Sequence, residues 1–263
     1  MIEMNRTDRS LLANWWWTVD RWSVAAFLTL IAIGLVMSFA ASPSMALRND
    51  FPVFHYVNRN LLYLIPAMAI LFGASLLKPS QIQKASFALF AVGVALLILT
   101  MFIGIEVKGA QRWLRFGGFS LQPSEFVKPA FVIVIAWLFA QRNMREKFPG
   151  NVLAVGALLL IAGLLILQPD FGQVMLLTLI WGAMFFMSGV NMTWIFVLGA
   201  LGSAGIFAAY THMPHVANRI NTFLDPSSGD NYQVDKALEA IRAGGLVGVG
   251  PGEGVVKSRI PDA

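Results

Sequence analysis

An all-α, polytopic integral membrane helix bundle is the fold class this sequence predicts, on three observations. Hydrophobic residues make up 57% of the 263, and Asp, Glu, Lys and Arg together only 13%, whereas soluble domains carry about 25% charged residues. Mean hydropathy is +0.67. Apolar runs near the roughly 20 residues needed to cross a bilayer recur as far as residue 210. The chain has no cysteine and three histidines, His55, His212 and His215. Disulfides, thiol chemistry and Cys-based metal sites are thereby excluded, and a His-rich metal centre is disfavoured. The histidines read as ordinary loop residues. The net charge of +5 points to cytoplasmic loops and lipid headgroups before any nucleic acid.

The elements follow in order. Residues 1–21 form a polar, cytoplasmic segment that ends in a cluster of Trp15, Trp16 and Trp17. Tryptophan concentrates at membrane–water interfaces, so the cluster marks the edge of the first span. A cleavable signal peptide would place its apolar run earlier. A transmembrane bundle at 22–210 follows, with about seven spans at 22–42, 60–77, 85–105, 124–140, 151–167, 171–190 and 192–210. Short turns join the last three spans, which makes them antiparallel neighbours. Residues 211–263 form a polar, Gly-rich loop beyond the last span. Within it, Asp230 and Gln233 match a capping box, and Val234, Ala237, Leu238 and Ile241 fall on one face. This predicts a short amphipathic helix near 231–243, stopped by Gly244 or Gly245.

Lysine and arginine set the orientation. With the N-terminus inside, inner segments hold Arg6, Arg9, Arg21, Lys78, Lys84, Arg142, Arg145 and Lys147. Outer short loops hold Arg48, Arg59, Lys108, Arg112 and Arg115. The inside excess fixes that orientation, with 211–263 outside. Most of the opposing charge sits in one stretch, "KGAQRWLRFGGFSLQPSEFVKP" at 108–129, read as a loop running into the fourth span.

That stretch carries the candidate site. Arg112 and Arg115 offer forks that match phosphate oxygens, and Trp113 is a flat apolar neighbour at headgroup depth. Glu125 and Lys128 stand three apart, on one face of the helix that begins there. A charge in a bilayer costs roughly 2.5 kcal/mol or more, so the two should pair. Pro129 leaves the carbonyl of Glu125 without its helical donor. Asp170, in "QPDFGQ", comes to the same side. An anion with a lipid tail, above all a pyrophosphate, would suit these residues. Headgroup anchoring by the arginines, a structural Glu125–Lys128 pair and helix capping by Asp170 are the bland alternatives. The glycine run at 244–254 fits neither a dinucleotide fingerprint nor a P-loop. It reads as a tight loop.

The segments "GAQRWLRFGGFSLQPSEFVKPAF", "QPDFGQ" and "GGLVGVGPGEGVVKSRIPDA" together resemble the SEDS family of shape, elongation, division and sporulation proteins. "RTDRSLLANWWWTVDRW" and "SGDNYQ" are more similar to its division branch than to its elongation branch. The resemblance implies a peptidoglycan glycosyltransferase that polymerises lipid II in septal wall synthesis at the outer face of the bacterial inner membrane. Its substrates would be lipid II and undecaprenyl-pyrophosphate-linked glycan. Its partners would be a class B penicillin-binding protein and other division proteins, and Mg²⁺ or Mn²⁺ could assist. Arg112, Arg115, Glu125, Lys128 and Asp170 match family positions regarded as functional. Ten spans are usual in the family, and its proposed base lies in a His-Thr-Asp-Phe stretch that would fall beyond Ala263. The expectation is therefore a C-terminally truncated chain with no base assigned. Asp262 matches an earlier motif residue. A lipid II flippase and a non-catalytic scaffold of the division complex are the alternatives. Charges near one face rather than at the midplane weigh against the flippase.

Overall fold

The computed structural model describes residues 11–107, 110–116, 119–145, 147–225, 232–245 and 248–250. Two compact units divide the chain: one of Met1–Leu76 with Phe207–Ala263, the other of Leu77–Ile206.

The first unit opens with α1 (Leu11–Thr18), where the sequence suggested only a polar segment. Trp15 Nε1 donates to Ser75 Oγ at 2.8 Å, and the Trp15 ring packs on Phe72. Helix α2 (Arg21–Arg48) is capped by the Asp20 carboxylate, which accepts from the backbone N–H of Trp22 and Ser23. The Ser23 hydroxyl above all, then the Trp22 N–H, holds the Asp20 carboxyl below its usual range. The sequence-predicted span stopped at residue 42, yet the helix runs through Pro43. A proline removes one hydrogen bond and does not by itself end a helix. Helix α3 (His55–Ser75) packs against α2.

The second unit holds the buried core. It contains α4 (Pro79–Ile103), the strands β1 (Ile105–Val107), β2 (Ala110–Phe116) and β3 (Phe119–Leu121), then α5 (Pro123–Met144), α6 (Gly150–Leu167), α7 (Phe171–Met187) and most of α8 (Met192–His212). Among these helices α5 is central: it packs on α4, α6 and α7. Val127, Phe131 and Ile135 recur every four residues along it and are fully buried. The α4–α5 approach depends on Gly93, because a Cβ there would stand 2.5 Å from Val127 Cγ2. Between α6 and α7, Trp181 Nε1 donates to the Ala154 carbonyl at 3.1 Å, and its ring stacks on Phe185. Gly189, at φ 77°, ends α7 in a conformation that glycine adopts without a steric penalty.

Six described helices are long and apolar enough to cross a membrane. Helix α7 is also apolar but has 17 residues, about 26 Å of rise. The polytopic membrane helix bundle is thus what folds. The candidate stretch also differs from the loop that the sequence suggested: Ile105–Val107, Ala110–Phe116 and Phe119–Leu121 form a small antiparallel sheet in the order β1-β2-β3. Only three residues of each outer strand pair with the central one, too short a run for periodicity to reveal.

After α8 the chain forms α9 (Pro214–Leu224), which the sequence reading left as loop. Helix α10 spans Tyr232–Gly244. The suggested cap Asp230, most of the glycine run and Asp262 lie outside the described residues.

Candidate functional site

The sheet and the N-terminal turns of α5 and α7 meet at one end of the second unit. Strand β2 sets the arrangement. Side chains alternate along a strand. Ala110 and Leu114 are therefore buried on one face, and Arg112 shares that face. Trp113 and Arg115 lie on the other, exposed.

Arg112 reaches the turn between α6 and α7. Its Nε donates to the Gln168 carbonyl at 3.2 Å, and its terminal nitrogen donates to the Pro169 carbonyl. Asp170 Oδ2 lies 3.8 Å from the Arg112 Nε. Asp170 occupies the N-cap position of α7, but its side chain makes no capping hydrogen bond. The capping role offered by the sequence is therefore not the one seen. The carboxylate is buried, and its nearest cation is Arg112, which explains where it points.

Gln168 secures the same turn from the other side. It is 3% exposed, and its Nε2 donates to the Leu97 carbonyl of α4 at 2.8 Å. The turn that carries Asp170 is therefore fixed both to the sheet and to α4.

The second charged pair sits on α5. Lys128 Nζ lies 2.7 Å from Glu125 Oε2, the i,i+3 pairing that the spacing predicts. Glu125 is in the first turn, where the helix dipole favours a negative charge, and it offsets Lys128 near the same positive end. Gln173 of α7 donates from Nε2 to Glu125 Oε1 at 3.3 Å.

The structure thus brings Arg112 to Asp170, and Glu125 to Lys128. It sets Arg115 apart: among the described residues the Arg115 side chain has no hydrogen bond or ion pair, and the residue stands opposite Ser120 in the ladder. Grouping the two arginines by closeness in sequence overlooked strand parity, which sends residues three apart to opposite faces.

Sequence reasoning also passed over Gln168, Gln173, Glu106 and Gln111. Glu106, Gln111, Leu167, Gln168 and Pro169, with Met101, line a cleft of about 330 Å³ beside the Arg112 tie. Glu106 and Gln111 are ladder partners. Their signal in the sequence was faint, since neither stands in a helical or metal-ligand spacing. No three His, Asp or Glu side chains gather to hold a metal among the described residues.

Comparison with known proteins gives three findings. A family model described as "Cell cycle protein", built on the FtsW, RodA and SpoVE type, matches residues 21–262. A protein of Caulobacter vibrioides named "Probable peptidoglycan glycosyltransferase FtsW" is 43% identical over 258 residues, covering 98% of this chain and 66% of that protein. A protein of the same name from Coxiella burnetii is 36% identical over 92% of this chain and 67% of its own length. The chain therefore spans about two thirds of the length of these curated relatives. Among solved structures, a chain of a peptidoglycan synthase complex is similar with a TM-score of 0.60, covering 81% of this chain and 65% of that one at 24% identity. That likeness shows the fold.

Proposed function

The chain belongs to the FtsW, RodA and SpoVE family of cell cycle proteins, and from this we propose that it acts as a lipid II polymerase, a peptidoglycan glycosyltransferase of septal wall synthesis. On this reading it sits in the bacterial inner membrane with its N-terminus in the cytoplasm and its charged end outside. It works there with a class B penicillin-binding protein and other division proteins. The names of the relatives support the reaction.

The observation that carries the reading is the concentration of Arg112, Arg115, Glu125, Lys128 and Asp170 at one end of an apolar bundle. A lipid-linked pyrophosphate presents its charge at that depth while its tail stays in the bilayer. The reaction forms a glycosidic bond from the sugar 4-hydroxyl of one lipid II to the anomeric carbon of the growing chain. Undecaprenyl pyrophosphate leaves from the opposite face. Cations must meet the charge that develops on it.

Different residues supply different parts. Arg112 donates to two carbonyls and faces a carboxylate, so it holds the α6–α7 turn in place. Arg115 is exposed beside Trp113 and open to an incoming phosphate. Lys128 is oriented by Glu125 and is 21% exposed. No base is assigned. Mg²⁺ or Mn²⁺, if used, would be held by substrate phosphates with one or two carboxylates; Glu125 and Asp170 already face cations. No step is therefore routed through a metal.

The test is glycan formation from lipid II in nanodiscs with the penicillin-binding protein. It is run with this chain, and with this chain extended by the remaining third of the Caulobacter relative. Product is expected from the extended form, with losses of about 10²-fold or more on Glu125→Ala or Arg115→Ala. Undiminished product in both variants would overturn the reading. So would lipid II crossing vesicles with no polymer formed, which would favour a flippase.

A further inference from the structure

We propose that Gln173 is a positioning residue of this site, holding the Glu125 carboxylate in the orientation that engages Lys128. Its Nε2 donates to Glu125 Oε1 at 3.3 Å, while Lys128 Nζ sits 2.7 Å from Oε2. The carboxylate is gripped on both oxygens, from two helices. The ion pair alone would not fix it. The Glu125 side chain is 50% exposed, and exposed pairs within one helix are weak and rotamerically loose. The hold from α7 removes that freedom.

The amide has one workable orientation. Turned over, it would set Oε1 against the carboxylate. The consequence shows at its other end, where Gln173 Oε1 is buried with no hydrogen-bond partner among the described residues. A buried acceptor left unpaired is unfavourable, so an apolar side chain of similar length would suit the packing better. The glutamine is explained by Glu125 and not by the packing around it. Glu125 is in turn the residue that orients Lys128, so Gln173 acts on the cation through it.

The activity arm of the test rests on the polymerase reading; the other arms do not. In the extended chain, Gln173→Met should leave the thermal midpoint unchanged or raised. The polymerisation kcat should fall about tenfold with KM little changed. Gln173→Glu, which sets a second carboxylate against Glu125, should lose as much. In a Glu125→Gln background, Gln173→Met should add no further loss, because the two act as one unit. Independently of turnover, Lys128 labelling by an amine-reactive reagent, mapped by mass spectrometry, should speed up about two- to tenfold in Gln173→Met, the range a single net hydrogen bond commands. Lys147 should label unchanged.

Unchanged Lys128 labelling, a lowered thermal midpoint, or additive loss in the Glu125→Gln background would each overturn the proposal. If no form polymerises lipid II while Lys128 labelling rises as expected, the polymerase reading fails and the positioning role stands.

Discussion

Gly93→Ala should damage the site from a distance, and the structure gives the size of the effect. The new Cβ would stand 2.5 Å from Val127 Cγ2, a shortfall of 0.9 Å against ordinary contact at 3.4 Å. Val127 is fully buried and β-branched, so its side chain has few rotamers in which to retreat. Either it leaves its preferred rotamer or α5 moves. Overpacking of this kind costs about 1–3 kcal/mol. Val127 stands between Glu125 and Lys128 in sequence, so a displaced α5 carries the ion pair with it. A misplacement near 1 Å can cost about 10²-fold in rate. The assays are thermal unfolding in detergent and lipid II polymerisation by the extended chain. Gly163→Ala is the control: its Cβ would meet nothing within 4 Å, and alanine favours a helix interior over glycine by about 1 kcal/mol. Gly163→Ala should hold or gain stability, while Gly93→Ala loses both stability and activity. Equal behaviour of the two would refute the argument.

Three further outcomes are expected. Arg112→Lys should lower stability by about 1.5–3 kcal/mol, less what solvent screening removes, because one ammonium cannot serve two carbonyls and Asp170 as a fork does; thermal unfolding reads it. Gln168→Leu should cost about 1–3 kcal/mol by removing the buried hydrogen bond that fixes the α6–α7 turn to Leu97, with the Asp170 backbone amide exchanging faster by hydrogen–deuterium mass spectrometry. Asp20→Ala should loosen the first turn of α2. Because the folded carboxyl titrates below its unfolded value, the cap contributes fully above the unfolded pKa, about 3.9, and is lost as pH falls through the lowered folded value. Amide exchange at residues 21–24, followed with falling pH, reads this loss.

Much of this was legible in the sequence because the signals are long or short-range. Each span is a run of apolar residues, and the i,i+3 spacing of Glu125 and Lys128 needs only one helix to become an ion pair. What stayed hidden depends on residues far apart. Arg112 meets the Gln168 carbonyl across 56 positions, and Gln173 meets Glu125 across 48. No periodicity encodes those meetings. The parity of Arg112 and Arg115 was available in principle, but only once β2 is known to be a strand. Asp170 looked like a cap because it stands in a cap position. The nearby arginine that takes its carboxylate belongs to another element.

Binding of undecaprenyl pyrophosphate to the chain in nanodiscs is the decisive measurement for a pyrophosphate site beside Arg115 and Lys128, because it needs no turnover. The wild-type chain should bind with an affinity that falls as salt rises. Arg115→Ala should weaken binding about tenfold, Lys128→Met should weaken it as well, and Arg142→Ala, at the far end of α5, should leave it unchanged. Equal binding by the wild type, Arg115→Ala and Lys128→Met, or a loss in Arg142→Ala as large as theirs, would contradict a pyrophosphate site at this end of the bundle.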